Sequence, residues 1–192
     1  MRTFASRKQA GFTIVELLVV LAIIGVLAVI GVPAARGIII GGKMEPTASD
    51  VNKVVAKMRA NFAGQGGTPY TNLGNAASAT AVFANTARGM ASALTVSGAG
   101  AASTVEHDIG ATGSAIAVAQ ATITTAGDSF SVTLPTVNDS ACPGLAAQLA
   151  RSAEVIDING TNVKAAGAVF NGGTAQNACT AGDTNSFTFT FR

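Results

Sequence analysis

The stretch Gly11-Phe12-Thr13-Ile14-Val15-Glu16 opens an apolar run that continues to Val32. A helix needs about 20 apolar residues to span a bilayer, and residues 12–32 meet that length. Glu16 is the single charged residue in the run. A carboxylate placed inside a membrane costs about 2.5–3.5 kcal/mol on insertion scales. The sequence therefore predicts a transmembrane helix over residues 12–32 in which Glu16 has a specific role.

Three basic residues precede this run without an acidic neighbour, namely Arg2, Arg7 and Lys8. Positive charge favours the cytoplasmic side of a membrane segment, so the chain after about residue 35 is expected to face outward. A secretory signal peptide or a plain membrane anchor would share the basic start and the apolar core. A signal peptide, however, has a shorter apolar region of roughly 7–15 residues and a small-residue cleavage site. A plain anchor leaves Glu16 unexplained.

The spacing of Gly11, Phe12 and Glu16 ahead of a hydrophobic helix resembles the processing junction of type IV prepilins. The resemblance implies that a prepilin peptidase removes residues 1–11 as a leader and methylates the new amino group of Phe12. It also implies that Glu16 pairs with the Phe12 amine of a neighbouring subunit when the helices bundle in a filament. The precursor is then expected in the inner membrane as a single-pass protein, and the assembled chain in an extracellular pilus.

Residues 12–63 are predicted to form one long bent helix with a membrane half and a globular half. A proline inside a helix removes a hydrogen bond and collides with the preceding turn, so a kink is predicted at Pro33, and Gly25 loosens the same section. In type IVa pilins a glycine and a proline occupy matching positions.

A second helical stretch is predicted to begin after Pro46, with Thr47 and Asp50 capping its start. Apolar residues then recur at three- and four-residue intervals, which is typical of an amphipathic helix packed on a soluble domain. This stripe consists of Val51, Val54, Val55, Met58 and Phe62.

Residues 64–192 are predicted to form the globular head, in which residues 64–115 give the weaker signals. A short helix is expected from Ala76 to about Ala91, with Val82, Phe83 and Met90 on its buried side. The glycine-rich section 97–114 is predicted to be loop. His107 and Asp108 lie inside it and are interpreted as solvated surface rather than a catalytic pair.

Strand signals follow in the remainder of the chain. Residues 116–124 and 130–134 alternate in polarity around a turn at residues 126–128, which predicts a hairpin. A short helix is expected over residues 145–153. Asn159-Gly160 is the strongest turn signal and predicts a second hairpin from strands 155–158 and 161–165. Finally, residues 185–192 alternate three phenylalanines with serine and threonine, which predicts a strand with one aromatic face: Phe187, Phe189 and Phe191.

The two cysteines, Cys142 and Cys179, both lie on the predicted outward side. In an oxidising compartment an isolated pair in a small domain most often forms a disulfide. Two free buried thiols are the alternative if the domain is cytoplasmic. Together with the lone His107, the cysteines do not supply zinc spacing, so no metal site is predicted.

The predicted fold class is α+β, a long bent amino-terminal helix packed on a small antiparallel sheet, with a carboxy-terminal disulfide. The order of hairpin, Cys142 with its short helix, Asn159-Gly160 hairpin, Cys179 and terminal strand resembles the carboxy-terminal half of type IVb pilins. Phe12 is instead the residue typical of type IVa, so the subclass is mixed.

Composition and motifs separate the remaining function classes. The net charge is +2, and removal of the leader leaves 9 basic against 10 acidic side chains, so no nucleic-acid footprint is present. The chain carries no GxSxG, HExxH or phosphate-loop signature, and neither an enzyme nor a cofactor is predicted. The sequence favours the major subunit of a homopolymeric type IV pilus, with the prepilin peptidase and the inner-membrane assembly machinery as partners. A minor pilin, a type II secretion pseudopilin and a membrane-anchored extracytoplasmic binding domain are the alternatives.

Overall fold

The computed structural model describes residues 11–192, which belong to two compact units that divide at residues 36 and 37. Helix α1 contributes to both units. The α-helices are α1 (Ile14–Phe62), α2 (Ala76–Ala87), α3 (Gly144–Leu149) and α4 (Gly172–Ala178). The strands are β1 (Leu94–Ser97), β2 (Thr104–His107), β3 (Ala117–Thr122), β4 (Ala126–Val137), β5 (Val155–Ile158), β6 (Thr161–Lys164) and β7 (Asn185–Phe191). Single 3-10 turns lie at Pro69–Leu73 and Gly100–Ala102.

The first unit contains the start of α1, which exposes apolar side chains all around. Every large apolar side chain described between Phe12 and Val32 is at least half exposed. Residues 25 and 33 both lie inside the helix, and a bend at either of them stays a prediction. The leader residues 1–10 lie outside the described residues. The sequence predicts a membrane span over residues 12–32; by length and hydropathy, none of the helices that the structure describes qualifies as one.

The second unit is built on a five-stranded antiparallel sheet with the order β3-β4-β7-β5-β6. The aromatic strand β7 lies at its centre, where Phe189 is opposite Val132 of β4 and Ile156 of β5. All three side chains are fully buried, so cross-strand pairs of aromatic and branched residues form the middle of the core. The predicted aromatic face of the last strand is confirmed.

The second part of α1 covers this core. Val51, Val54, Val55 and Met58 are buried as predicted, and Phe62 is half-buried. The guanidinium of Arg59 lies 5.8 Å from the centre of the Phe191 ring, and the Phe62 and Tyr70 rings are 5.6 Å apart.

The predicted helix start at Thr47 and Asp50 is wrong, because α1 is already helical before Pro46. The Thr47 hydroxyl donates to the carbonyl of Lys43 one turn earlier. Asp50 points away from the helix backbone and accepts hydrogen bonds from the backbone N–H groups of Ser92 and Ala93, at 2.6 and 2.8 Å. It therefore ties α1 to the start of β1 and caps no helix.

Between residues 64 and 115 the structure corrects two predictions. Helix α2 ends at Ala87, and Met90 is 40% exposed rather than buried. The section predicted as loop, residues 97–114, contains strand β2, which pairs with the preceding strand β1 in a two-stranded hairpin. The side chains of Leu94 and Val105 are buried in the core. This burial stabilises the two strands, although each has only four residues.

The hairpin between β3 and β4 turns three residues earlier than predicted, over residues 123–125. Asp128 closes this turn by accepting N–H groups from Ile123, Thr124 and Thr125 at 2.9–3.1 Å, and it pairs with Arg192. These three donors lower the pKa of Asp128 far below the usual value. The Ile123 N–H is the largest cause, and burial acts in the opposite direction.

Gly127 has a φ of +80°, and a Cβ there would lie 2.4 Å from the Thr71 hydroxyl, so this position requires glycine.

The hairpin at Asn159-Gly160 forms as predicted, with both residues at positive φ (51° and 78°). The helix predicted over residues 145–153 is shorter and ends at Leu149. Helix α4 has no counterpart in the sequence prediction. It is capped by Asn171, whose side chain accepts the N–H of Thr174 at 3.0 Å.

Candidate functional site

The amino-terminal end of α1 is built around Thr13 and Glu16. Thr13 is the last residue before the helix, and its hydroxyl accepts the N–H of Glu16 at 3.2 Å. In return, Oε2 of Glu16 accepts the N–H and the hydroxyl of Thr13 at 3.2 and 3.1 Å. This reciprocal arrangement is a capping box.

The capping box gives the one carboxylate of the apolar segment a defined position. Both contacts use Oε2, and among residues 11–192 no donor contacts Oε1 of Glu16. A carboxylate accepts several hydrogen bonds, so a cationic donor is able to bind Glu16 without displacing Thr13. The favourable end of the helix dipole lies at the same place.

Sequence reasoning identified Glu16 but missed Thr13. The signal was present, because a threonine three residues before a glutamate at the start of an apolar run is the pattern of a capping box. Phe12, next to the predicted cleavage position, is 89% exposed, and Gly11 is exposed as well.

Cys142 and Cys179 form the predicted disulfide, with Cα atoms 6.0 Å apart. The bond joins the residues before α3 to the end of α4. Beside it, the buried side chain of Asn185 accepts the N–H of Thr180 at 2.7 Å and donates to the carbonyl of Val137 at 3.1 Å. The Asn185 amide, at the start of the central strand β7, therefore joins Thr180, next to Cys179, to Val137 at the end of β4.

Two carboxylate–lysine pairs involve the globular part of α1, one within the helix and one to the segment after β2. Asp50 is 1% exposed and pairs with Lys53 at 2.6 Å. Burial alone would raise the pKa of Asp50, but the N–H groups of Ala93 and Ser92 and the ammonium of Lys53 outweigh burial and hold the pKa below its usual value.

The other pair joins α1 to the segment after β2. One turn before Thr47, Lys43 pairs with Asp108 beyond the end of β2.

The sequence analysis placed His107 on the solvated surface, and this prediction is wrong. His107 is a buried residue of β2 and is 4% exposed. Its Nε2 lies 2.8 Å from the carbonyl oxygen of Pro135, so Nε2 carries the proton. Within the described part of the chain, Nδ1 has no partner. Burial lowers the pKa of His107 by more than the Pro135 carbonyl and the Asp108 charge raise it.

His107 makes the stability of the head pH-dependent in a defined direction. Because its pKa is below about 6.5 in the folded state and near that value when unfolded, the unfolded chain binds more protons as the pH falls. The free energy of unfolding should therefore decrease as the pH drops below about 6.5. In His107→Gln, which retains a donor for Pro135, urea unfolding of the detergent-solubilised chain should lose this slope. An unchanged slope in the variant would contradict the assignment. Asp50 and Asp128 change the free energy of unfolding with pH only below about pH 4, because their pKa values are lowered in the folded state.

The structure thus places Glu16 in the first unit and the disulfide in the second. His107 and Asp108, although adjacent, have different partners: His107 contacts the Pro135 carbonyl and Asp108 pairs with Lys43. Among residues 11–192, no group of three or more His, Cys, Asp or Glu side chains is arranged to hold a metal ion.

Comparisons with known proteins place these features in a family. A family profile described as "Prokaryotic N-terminal methylation motif" matches residues 6–32, and one described as "PilS N terminal" matches residues 43–192. The crystal structure of a type IVb pilin from Salmonella typhi is similar, with 25% identity over 78% of this chain and 97% of that chain, at a TM-score of 0.55. An NMR structure of a type IVb pilin (PilS) from Salmonella typhi aligns at 27% identity over 71% of this chain and 91% of that chain, at a TM-score of 0.41.

A search of curated proteins finds no match. The second profile nevertheless covers far more than half of the chain, from the globular part of α1 to the last strand. The first profile covers the junction and the apolar segment. The chain therefore belongs to the PilS N-terminal family and is a type IV pilin.

Proposed function

We propose that this pilin is the major subunit of a type IVb pilus, produced by cleavage between Gly11 and Phe12 and methylation of the Phe12 amine. The observation that carries the proposal is the start of α1, whose large apolar side chains are exposed all around while Glu16 is the single charge among them. A helix that is apolar on every side is normally buried in protein or lipid. The type IVb assignment is supported by the carboxy-terminal order of elements and by the Salmonella typhi pilin structure.

The precursor is anchored in the inner membrane until the peptidase acts. Cleavage removes Arg2, Arg7 and Lys8, three charges that would otherwise have to leave the cytoplasmic face. It also creates a cationic amine at Phe12. When helices bundle in the filament, Glu16 and this amine are both withdrawn from water, and each relieves most of the cost of burying the other. A subunit seated out of register leaves both charges unpaired, so the pair selects the correct position.

The capping box adds a step to this account. Thr13 holds Oε2 before assembly, so Glu16 is partly hydrogen-bonded while it waits in an apolar environment. The incoming amine then binds a carboxylate that is already oriented, which lowers the entropy lost on pairing.

The direct test is the intact mass and amino-terminal sequence of material sheared from the cell surface. The major species should begin at methylated Phe12 and be two hydrogens lighter than the reduced chain, because Cys142 and Cys179 are joined. Its abundance among surface proteins distinguishes a major subunit from a minor pilin or a pseudopilin. Finding only uncut protein that stays in the membrane would overturn the filament proposal.

Thr13→Val is expected to lower filament yield by about fivefold, because loss of an N-cap hydroxyl destabilises a helix start by about 1 kcal/mol. Thr13→Ser keeps the hydroxyl and should retain the wild-type yield. Both yields are read by immunoblot of sheared and cell-bound fractions, with cleavage checked by mass. Equal yields for the valine and serine variants would show that the capping box has no part in assembly.

A further inference from the structure

At both edges of the five-stranded sheet, one outward-facing backbone group already has a hydrogen-bond partner. At one edge, the carbonyl of Val163 in β6 accepts the N–H of Asn171 at 2.9 Å. At the other edge, the N–H of Val118 in β3 donates to the hydroxyl of Thr80 on α2 at 3.0 Å. An open edge is a template for another chain, and these contacts occupy part of each edge.

The segment that covers β6 presents an apolar protrusion, here termed the apolar loop (residues 165–169). Its residues are alanine, glycine and valine, all of them exposed, and Val169 is 90% exposed. The loop has a fixed shape, since the N–H of Ala168 donates to the carbonyl of Ala165 at 3.0 Å and Gly167 has a φ of +72°. Because the loop is ordered and has no polar side chain, burying it in an apolar recess would remove apolar surface from water.

The opposite edge carries such a recess, here termed the alanine groove (residues 76, 77, 80, 101–104 and 115–117). It has a volume of about 340 Å³ and lies where α2 covers β3. Six of its ten lining residues are alanine, and none carries a charge. Seating an uncharged loop in it therefore removes apolar surface from water without burying an unpaired ion.

We propose that the apolar loop of one subunit seats in the alanine groove of the neighbouring copy. The inference rests on the proposed filament and deepens it by naming the contact between heads. Because loop and groove are different surfaces, the contact is heterologous rather than a closed two-fold dimer, and in the proposed filament it repeats along an open helical array. One loop buries far less than the roughly 1,000 Å² that a stable complex needs, so the contact acts only where bundled helices already hold the heads together.

A charge-swap cycle in the full chain tests the contact. Val169→Lys and Ala77→Asp each place an unpaired charge in it and should lower filament yield about tenfold. The double variant should recover to within about threefold of wild type, because the two charges then pair. Ala77 lies in the first turn of α2, where an aspartate is compatible with the helix. Thr95→Lys, on an exposed residue of β1 outside both surfaces, is the matched control and should keep the wild-type yield.

The outcomes separate this contact from the filament itself. If wild type forms filaments and the double variant is no better than the single ones, the loop–groove contact is wrong while the filament stands. If wild type forms no filaments, both proposals fall. Unfolding midpoints of the variants should equal that of wild type, since Val169 and Ala77 are exposed.

Discussion

Glu16→Gln should leave cleavage after Gly11 intact and reduce surface filaments by at least a hundredfold. The substitution keeps the size of the side chain but removes the charge that, in the proposed filament, neutralises the Phe12 amine of the neighbouring subunit. Breaking a buried pair by removing one partner costs about 3–5 kcal/mol, because the remaining charge stays buried without compensation. Glu16→Ala and Glu16→Leu should behave alike.

The measurement is the ratio of sheared to cell-bound pilin, with amino-terminal sequencing of the cell-bound fraction. Glu45→Gln makes the same chemical change on an exposed residue of α1 in the globular unit, and it should pilate normally. Normal piliation of the processed Glu16→Gln chain would refute the role given to this carboxylate.

The second large effect is expected from Cys142→Ala combined with Cys179→Ala. The disulfide closes a separation of 37 residues, and the chain-entropy account assigns about 4 kcal/mol to a loop of that length. The free energy of unfolding should fall by about that amount, and hydrogen exchange should rise most within residues 142–179, which include α3, β5, β6 and α4.

Reductant supplies the control for the disulfide. Dithiothreitol should shift the denaturant midpoint of wild type toward that of the double alanine variant and leave the variant itself unchanged. A variant that unfolds at the wild-type midpoint would show that the bond adds nothing to the stability of the head.

Features determined by local chemistry were predictable from the sequence. The Asn159-Gly160 turn needs two positive φ values, and few other dipeptides tolerate them. The alternation in β7 has a period that only a strand matches. Glu16 is conspicuous because a charge in an apolar run is rare.

Features determined by distant contacts were not predictable. Asp50 has the sequence context of a helix cap, but the backbone N–H groups that it accepts are 42 and 43 residues away. His107 lies in a section of small residues, and its neighbours are distant in sequence: it is opposite Leu94 of β1 and contacts the Pro135 carbonyl of β4. Local capping signals also do not reveal whether the preceding residues are already helical, which is why the start assigned at Thr47 was wrong. Thr13 differs from these, because its signal was local and was overlooked.

The central position of β7 sets a time at which the head can first become native. Residues 185–191 lie between β4 and β5 and supply the hydrogen bonds that join the β3–β4 hairpin to the β5–β6 hairpin. Until those residues have left the ribosome, the two hairpins lack the strand that joins them. The head therefore completes its fold only after residues 185–191 are released, and a chain stalled before that point cannot form the complete sheet.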